Sequence, residues 1–177
     1  LASNQLNVAL ATTHIALKDI PRQITKKSLC HTINTLHDEL KNKFNISQPK
    51  ITVTGLNPHS GEDGEFGDEE IRIIKPAVDK MKGLGISIKG PIPADTAFTP
   101  KLISKTDCFL AMYHDQGLSA FKALTFGKGV NVTLGLPIIR TSVDHGTGLD
   151  IAGSTKIDPS SLFESIKLAI NLVNNQH

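Results

Sequence analysis

Apolar residues recur along the chain in two rhythms. After Thr25, the positions Leu29, Ile33, Leu36, Leu40 and Phe44 stand 4, 3, 4 and 4 residues apart, which marks one face of an α-helix. Thr25 is placed to cap that helix and Asn45 to stop it. After Asp68, a second capping residue, Ile71, Ile74, Val78 and Met81 repeat the rhythm. Pro76 lies inside this pattern and predicts a kink or a shortened helix; Gly83 and Gly85 supply its stop. Asp158 and Pro159 open a third helix with Leu162, Phe163, Ile166, Ile170 and Val173 on one face. Between the helices lie short β-branched or continuous apolar runs over 8–11, 50–55, 86–90 and 107–113, followed by "GVNVTLG" and "PIIRTSV". These predict strands, and the unbroken run "DCFLAMY" is what a strand buried on both faces requires. A short helix after Asp95 and one running through Leu124 complete the pattern. Strands and helices alternate, which predicts an α/β protein with a mostly parallel sheet.

Composition narrows the class. With 177 residues, 39% hydrophobic and 20% charged, the chain is that of a soluble globular domain. A net charge of +2, no Lys/Arg block and 5% aromatic residues exclude a nucleic-acid partner held by charge or by base stacking. Cys30 and Cys108 are too few for a disulfide framework and read as reduced, structural thiols in a cytoplasmic protein. No apolar run approaches the ~18 residues of a membrane span, and no charged-then-apolar leader is legible. The chain opens on Leu1 rather than Met and runs almost at once into a strand, so it is expected to be an internal piece of a longer protein.

Candidate chemistry follows from position. His14, His59 and His114 each come just after a predicted strand, and open α/β sheets bind ligands beyond the carboxyl ends of their strands. Two readings stand at this level. Neutral imidazoles gathered there would hold a divalent metal, zinc above all; alternatively, they are solvated loop histidines, since separations of 45 and 55 residues match no short metal motif. Asp95 also follows a strand and Asp115 adjoins His114, so both are candidates for extra ligands, for groups that orient the imidazoles, or for the general base. His31 and His37 sit off the apolar face of their helix and read as solvated; His177 is terminal and uninformative. The Gly- and acid-rich loop 60–67 does not follow the ligand order of a calcium loop. It reads as the opening of a helix, with acids near its positive end.

Lys122, Lys128, Asn131 and Arg140 offer donors for a small anion, or are ordinary solvated side chains. Arg140 stands apart because it follows Pro137, Ile138 and Ile139 in an apolar strand, where an unpaired charge is costly. "SVDHGTGLDIAG", over 142–153, carries three glycines and two aspartates. It is not GxGxxG, and it is either a backbone that passes close to a ligand or a plain surface loop.

Together "LATTHIALKDI", "TGLNPHSGEDGEFGDEE", "GPIPADTAF", "MYHDQGL" and "GVNVTLGLPIIRTSVDHGTGLDIAG" resemble the 4-hydroxythreonine-4-phosphate dehydrogenase family, block by block and in family order. "DHGTGLDIAG" is also similar to the coenzyme loop of the isocitrate and isopropylmalate dehydrogenases. The resemblance implies part of an isocitrate/isopropylmalate dehydrogenase-like, two-subdomain α/β/α sandwich. About 1–110 would form the metal-binding, dimer-forming subdomain and about 111–177 part of the coenzyme-binding one. It implies NAD- or NADP-dependent oxidation of 4-phosphooxy-threonine with loss of carbon dioxide, in vitamin B6 biosynthesis. His14, His59 and His114 would hold a divalent metal (zinc, or cobalt, magnesium or manganese) in a site shared between the subunits of a homodimer. Lys122, Asn131 and Arg140 would contact substrate. Asp144, His145, Gly146, Asp150, Ile151 and Ala152 would contact the coenzyme. The family chain continues upstream of Leu1, where further substrate contacts lie, so this piece alone is expected to be inactive. The rivals are a sister dehydrogenase for a phosphorylated threonate or erythronate, a metal-dependent hydrolase, and a non-catalytic dimer module.

Overall fold

A computed structural model describes residues 1–125, 127–146, 149, 152–153 and 158–176. In chain order, the first elements are β1 (Val8–Leu10), α1 (Ile20–Gln23), α2 (Lys26–Asn42), β2 (Lys50–Thr54), α3 (Lys75–Gly83) and β3 (Ser87–Ile92). They are followed by α4 (Ala94–Ala97), α5 (Pro100–Ile103), β4 (Cys108–Ala111), α6 (His114–Thr125), β5 (Val130–Thr133), β6 (Arg140–Val143) and α7 (Ser160–Asn174). The first four strands form one parallel sheet in the order β1-β4-β2-β3. β5 and β6 form a separate antiparallel pair that packs on α7.

The central strand β4 shows why the sheet is covered on both faces. Its side chains alternate with the pleat. Cys108 and Leu110 enter a core with Leu29, Ile33, Leu36 and Leu40 of α2 and Ala77, Val78 and Met81 of α3. Phe109 and Ala111 enter a second core with Val8, Ala97 and Phe121. The helical rhythm of α2 is therefore its buried face, and Thr25 caps it reciprocally with Ser28, as the capping chemistry predicts. Asn45 ends the turn in the left-handed region, at φ 56°. Burial pushes the Cys108 thiol up to about 12, which leaves it inert at neutral pH; both cysteines are free. No helix among the described residues is long and apolar enough to cross a membrane.

Four expectations change. Residues Glu70–Ile74 form a π-helical turn that runs into α3. Hydrogen bonding from i to i+5 widens the turn and carries Ile71 away from the face of Ile74, while Glu70, four residues before Ile74, shares that face. Glu70 is 4% exposed and Ile71 51%. The strand expected over "PIIRTSV" starts only at Arg140, because Pro137 has no N–H to give a ladder. Arg140 is consequently exposed, and the burial cost expected of it does not arise. The apolar face of α7, from Leu162 to Val173, is exposed, while Ser165 and Leu172 face inward. His37 is half-buried rather than solvated, and its Nδ1 is shielded without a partner; His31 is exposed.

Candidate functional site

Strand order brings the carboxyl ends of β1, β4 and β2 side by side, and the loops leaving them carry His14, His114 and His59. Hydrogen bonds stitch these ends together. Thr12, beyond β1, donates through Oγ1 to the Met112 carbonyl at 2.7 Å. Gln116, in the first turn of α6, accepts from the Met112 N–H at 2.7 Å and from Thr54 Oγ1 at 2.8 Å, and donates to the Gly55 carbonyl at 2.8 Å. One amide side chain thus joins the end of β4 to the end of β2. Gly117 lets α6 lie close on the sheet: a Cβ there would stand 2.7 Å from Val8 and 2.9 Å from Leu10. This close approach carries His114, at the start of α6, up to the end of β1.

As a result, the rings of His14 and His114 face one another with centroids 5.5 Å apart. His114 Nδ1 lies 2.7 Å from Asp115 Oδ1. A carboxylate only accepts, so Nδ1 carries the hydrogen, and in the neutral ring Nε2 is the nitrogen left to bind a metal. That is the arrangement in which a second group orients an imidazole for a metal. His59 is not part of this pair. Among the described residues no three His, Cys, Asp or Glu side chains stand close enough to hold a metal ion. One chain therefore presents two imidazoles together and the third apart.

His59 is exposed and its ring lies 5.9 Å from that of Phe66. The expected helix opening at 60–67 is instead a left-handed turn within Pro58–Gly64. His59, Ser60, Gly61, Glu62 and Asp63 have φ of 52°, 53°, 81°, 40° and 55°. Left-handed helical backbone costs roughly 1–2 kcal/mol for each L-residue with a Cβ, so four of these five residues are strained. Such strain persists only where its surroundings impose it. Asp95 is exposed in the first turn of α4, which packs beside this turn.

The remaining predicted residues fall in two places. Register pairs Asn131 with Ser142 and Thr133 with Arg140, so Asn131 and Arg140 share one face of the hairpin. Arg140 Nη1 donates to Thr133 Oγ1 at 2.9 Å. Asn131 and Thr133 line a cavity of about 430 Å³ that also reaches Thr13, next to His14. Its walls include Leu10, Leu36 and Leu134, with Asn131 and Thr133 among its polar lining. Lys122 Nζ lies 3.6 Å from Asp144 Oδ1, just after β6; Lys128 is exposed. His145 Nδ1 donates to the Gly146 carbonyl at 2.8 Å. Ala152 is exposed in a turn, and Asp150 and Ile151 lie outside the described residues. Gln116 and Glu70 escaped the sequence reading: one glutamine beside "HD" and one of three consecutive acids carry no signal of their own.

Fold and site define an α/β protein with imidazole donors at the carboxyl ends of a parallel sheet. A family model described as pyridoxal phosphate biosynthetic protein PdxA matches residues 1–169, and the chain belongs to that family. It is 53% identical over 175 residues to a 4-hydroxythreonine-4-phosphate dehydrogenase of Chromobacterium violaceum, covering 99% of this chain and 53% of the relative. The crystal structure of 4-hydroxythreonine-4-phosphate dehydrogenase from Klebsiella pneumoniae superimposes with a TM-score of 0.89 at 42% identity, over 100% of this chain and 53% of that one. A terephthalate 1,2-cis-dihydrodiol dehydrogenase from Burkholderia xenovorans superimposes with a TM-score of 0.75 at 30% identity, over 96% and 53%. The chain spans about half the length of the curated relatives it matches.

Proposed function

We propose that the protein is a metal-dependent, NAD- or NADP-linked dehydrogenase that oxidises 4-phosphooxy-L-threonine. The product loses carbon dioxide to give 3-amino-2-oxopropyl phosphate, in pyridoxal phosphate synthesis. The observation that carries this reading is the His14–His114 pair, with Asp115 fixing Nδ1 of His114, in a chain whose relatives bear that enzyme's name. Two adjacent imidazoles suit zinc, and a catalytic zinc site takes three protein ligands and keeps one position open. His59 is the third donor, contributed by the second subunit of a homodimer. When bound, the metal supplies Lewis acidity to the substrate hydroxyl.

The chain's own residues orient and bind. Asp115 holds the His114 ring, and Gln116 keeps the loops of His114 and His59 in register. Asn131 and Arg140 present neutral and cationic donors from one hairpin face to the phosphate or carboxylate, and Lys122 adds a cation beside Asp144. The segment from Asp144 to Ala152, with Asp150 and Ile151, is assigned to the coenzyme. About 1–110 would form the metal-binding, dimer-forming part and about 111–177 part of the coenzyme-binding one, with His114 reaching the metal from the start of the second. The free thiols of Cys30 and Cys108 suit the cytoplasm.

The dihydrodiol dehydrogenase neighbour supports a second reading, in which the same scaffold oxidises another hydroxylated acid such as a phosphorylated threonate. The higher identity to the hydroxythreonine-phosphate enzymes, 53% and 42% against 30%, favours the first. The complete protein is expected to turn over 4-phosphooxy-L-threonine with NAD, to lose activity in EDTA, and to regain it with zinc. His59→Ala should lose both metal and turnover. A His59→Ala protein with stoichiometric metal and normal rates defeats the assignment. Faster turnover of 4-phosphothreonate transfers it to the second reading.

A further inference from the structure

We propose that Glu70 is the positioning residue of the His59 loop: its buried carboxylate clamps the base of the left-handed turn and so fixes where the imidazole stands. The inference rests on the reading of His59 as a metal ligand and adds a residue to it. The geometry is specific. Glu70 Oε1 accepts from the backbone N–H groups of Leu56 and Asn57 at 2.6 and 2.8 Å, and Oε2 accepts from Asn57 Nδ2 at 2.9 Å. The second hydrogen of that amide goes to Glu69 Oε2 at 2.7 Å. These bonds fix the two residues that precede Pro58, the first residue of the turn. The turn also rests on the carboxylate. Gly61 is buried, and a Cβ there would stand 2.8 Å from Glu70 Oε2 and 2.7 Å from the Gly67 carbonyl. Within the turn, the Ser60 N–H reaches the Asn57 carbonyl, the Glu65 N–H the Glu62 carbonyl and the Phe66 N–H the Gly61 carbonyl, each at 3.1 Å. Local bonds of this kind do not remove the cost of holding four L-residues in the left-handed region; the surrounding structure must impose it, and Glu70 reaches both the base of the turn and its glycine. Glu70 stands four residues before Ile74 and so shares its inward face, which is how a glutamate comes to lie there; the π-helical turn carries Ile71 out of that face.

In the complete protein, Glu70→Gln keeps the side chain's shape but sets an amide donor against the donor of Asn57. Amide hydrogen exchange over 56–66 is expected to accelerate about tenfold while α2 is unchanged, and the zinc Kd of the coenzyme-free protein to rise about tenfold. Adding Glu62→Gly, which removes the left-handed penalty at one exposed residue, should recover about threefold of the lost zinc affinity. A glutamate that merely filled the core would show no such rescue. Gly61→Ala lifts the turn off an intact carboxylate and should reproduce both effects, so the test survives a Glu70→Gln protein that does not fold. Wild-type exchange over 56–66 and wild-type zinc affinity in either variant overturns the proposal, as does acceleration in α2 equal to that in the loop. Should His59→Ala keep its zinc, the metal reading fails instead, and the exchange measurement alone still decides whether Glu70 holds the turn.

Discussion

An imidazole binds a metal well only when its other nitrogen has a fixed partner, because that partner sets both tautomer and ring angle. His114 has one in Asp115, at 2.7 Å, on the adjacent residue and exposed to solvent. Asp115 has two possible duties, orienting the ring or taking a proton from substrate, and one pair of variants separates them. Asp115→Asn keeps an acceptor oxygen for Nδ1–H but is no base. An orienting role predicts zinc affinity within about threefold of wild type for Asp115→Asn and about a tenfold loss for Asp115→Ala. A kcat that collapses in Asp115→Asn at unchanged zinc affinity makes Asp115 the general base. At this scale much was legible in the sequence: three histidines and two aspartates stood after strands, and a strand end is where ligands bind. What joins them was not. Gln116 and Glu70 act through hydrogen bonds to backbone groups some 60 and 14 residues away, and no local pattern records such partners.

Periodicity placed the elements well because burial enforces it. The faces of α2 and the alternation along β4 follow from cores on both sides of the sheet. It failed at 70–74, where the pattern Ile71, Ile74, Val78, Met81 assumes an unbroken α-helix and the backbone inserts a π-helical turn. The Glu70 carboxylate, with three hydrogen bonds, takes the inward position beside Ile74. The two backbones differ in what they predict for Ile71. Ile74, fully buried, should lose roughly 2–5 kcal/mol on truncation to alanine. Ile71, half-exposed, should lose less than about 0.5 kcal/mol. Urea unfolding of both variants checks this, and equal losses would restore the α-helical register. Periodicity failed again in β6, where Pro137 delays the strand and leaves Arg140 at its exposed start, pointing a cation outward beside Asn131.

At the scale of the molecule, one copy of this chain brings together two of the three candidate imidazoles. His14 and His114 meet, His59 stands apart, and no third donor among the described residues closes the set. A rigid parallel sheet stitched by Thr12 and Gln116 leaves little freedom for His59 to swing across. The proposed two-fold dimer would account for this, because an isologous interface brings a residue of one copy to different residues of the other. The arrangement has a consequence for mixed dimers of the complete protein. His59→Ala retains the paired histidines and lacks the third; His114→Ala retains His59 and lacks the pair. Each homodimer has no intact site. If the site takes His14 and His114 from one subunit and His59 from its partner, a mixed dimer of the two variants contains one intact site and one empty of two ligands. Random reassortment makes half of the dimers mixed, so about a quarter of wild-type zinc content and turnover should return on mixing after reversible dissociation. If all three histidines came from one subunit, neither chain in the mixed dimer would hold a complete set, and mixing would restore nothing. Zinc content and turnover measured before and after subunit exchange therefore decide whether the separation of His59 from the other two histidines reflects a site completed by a second copy.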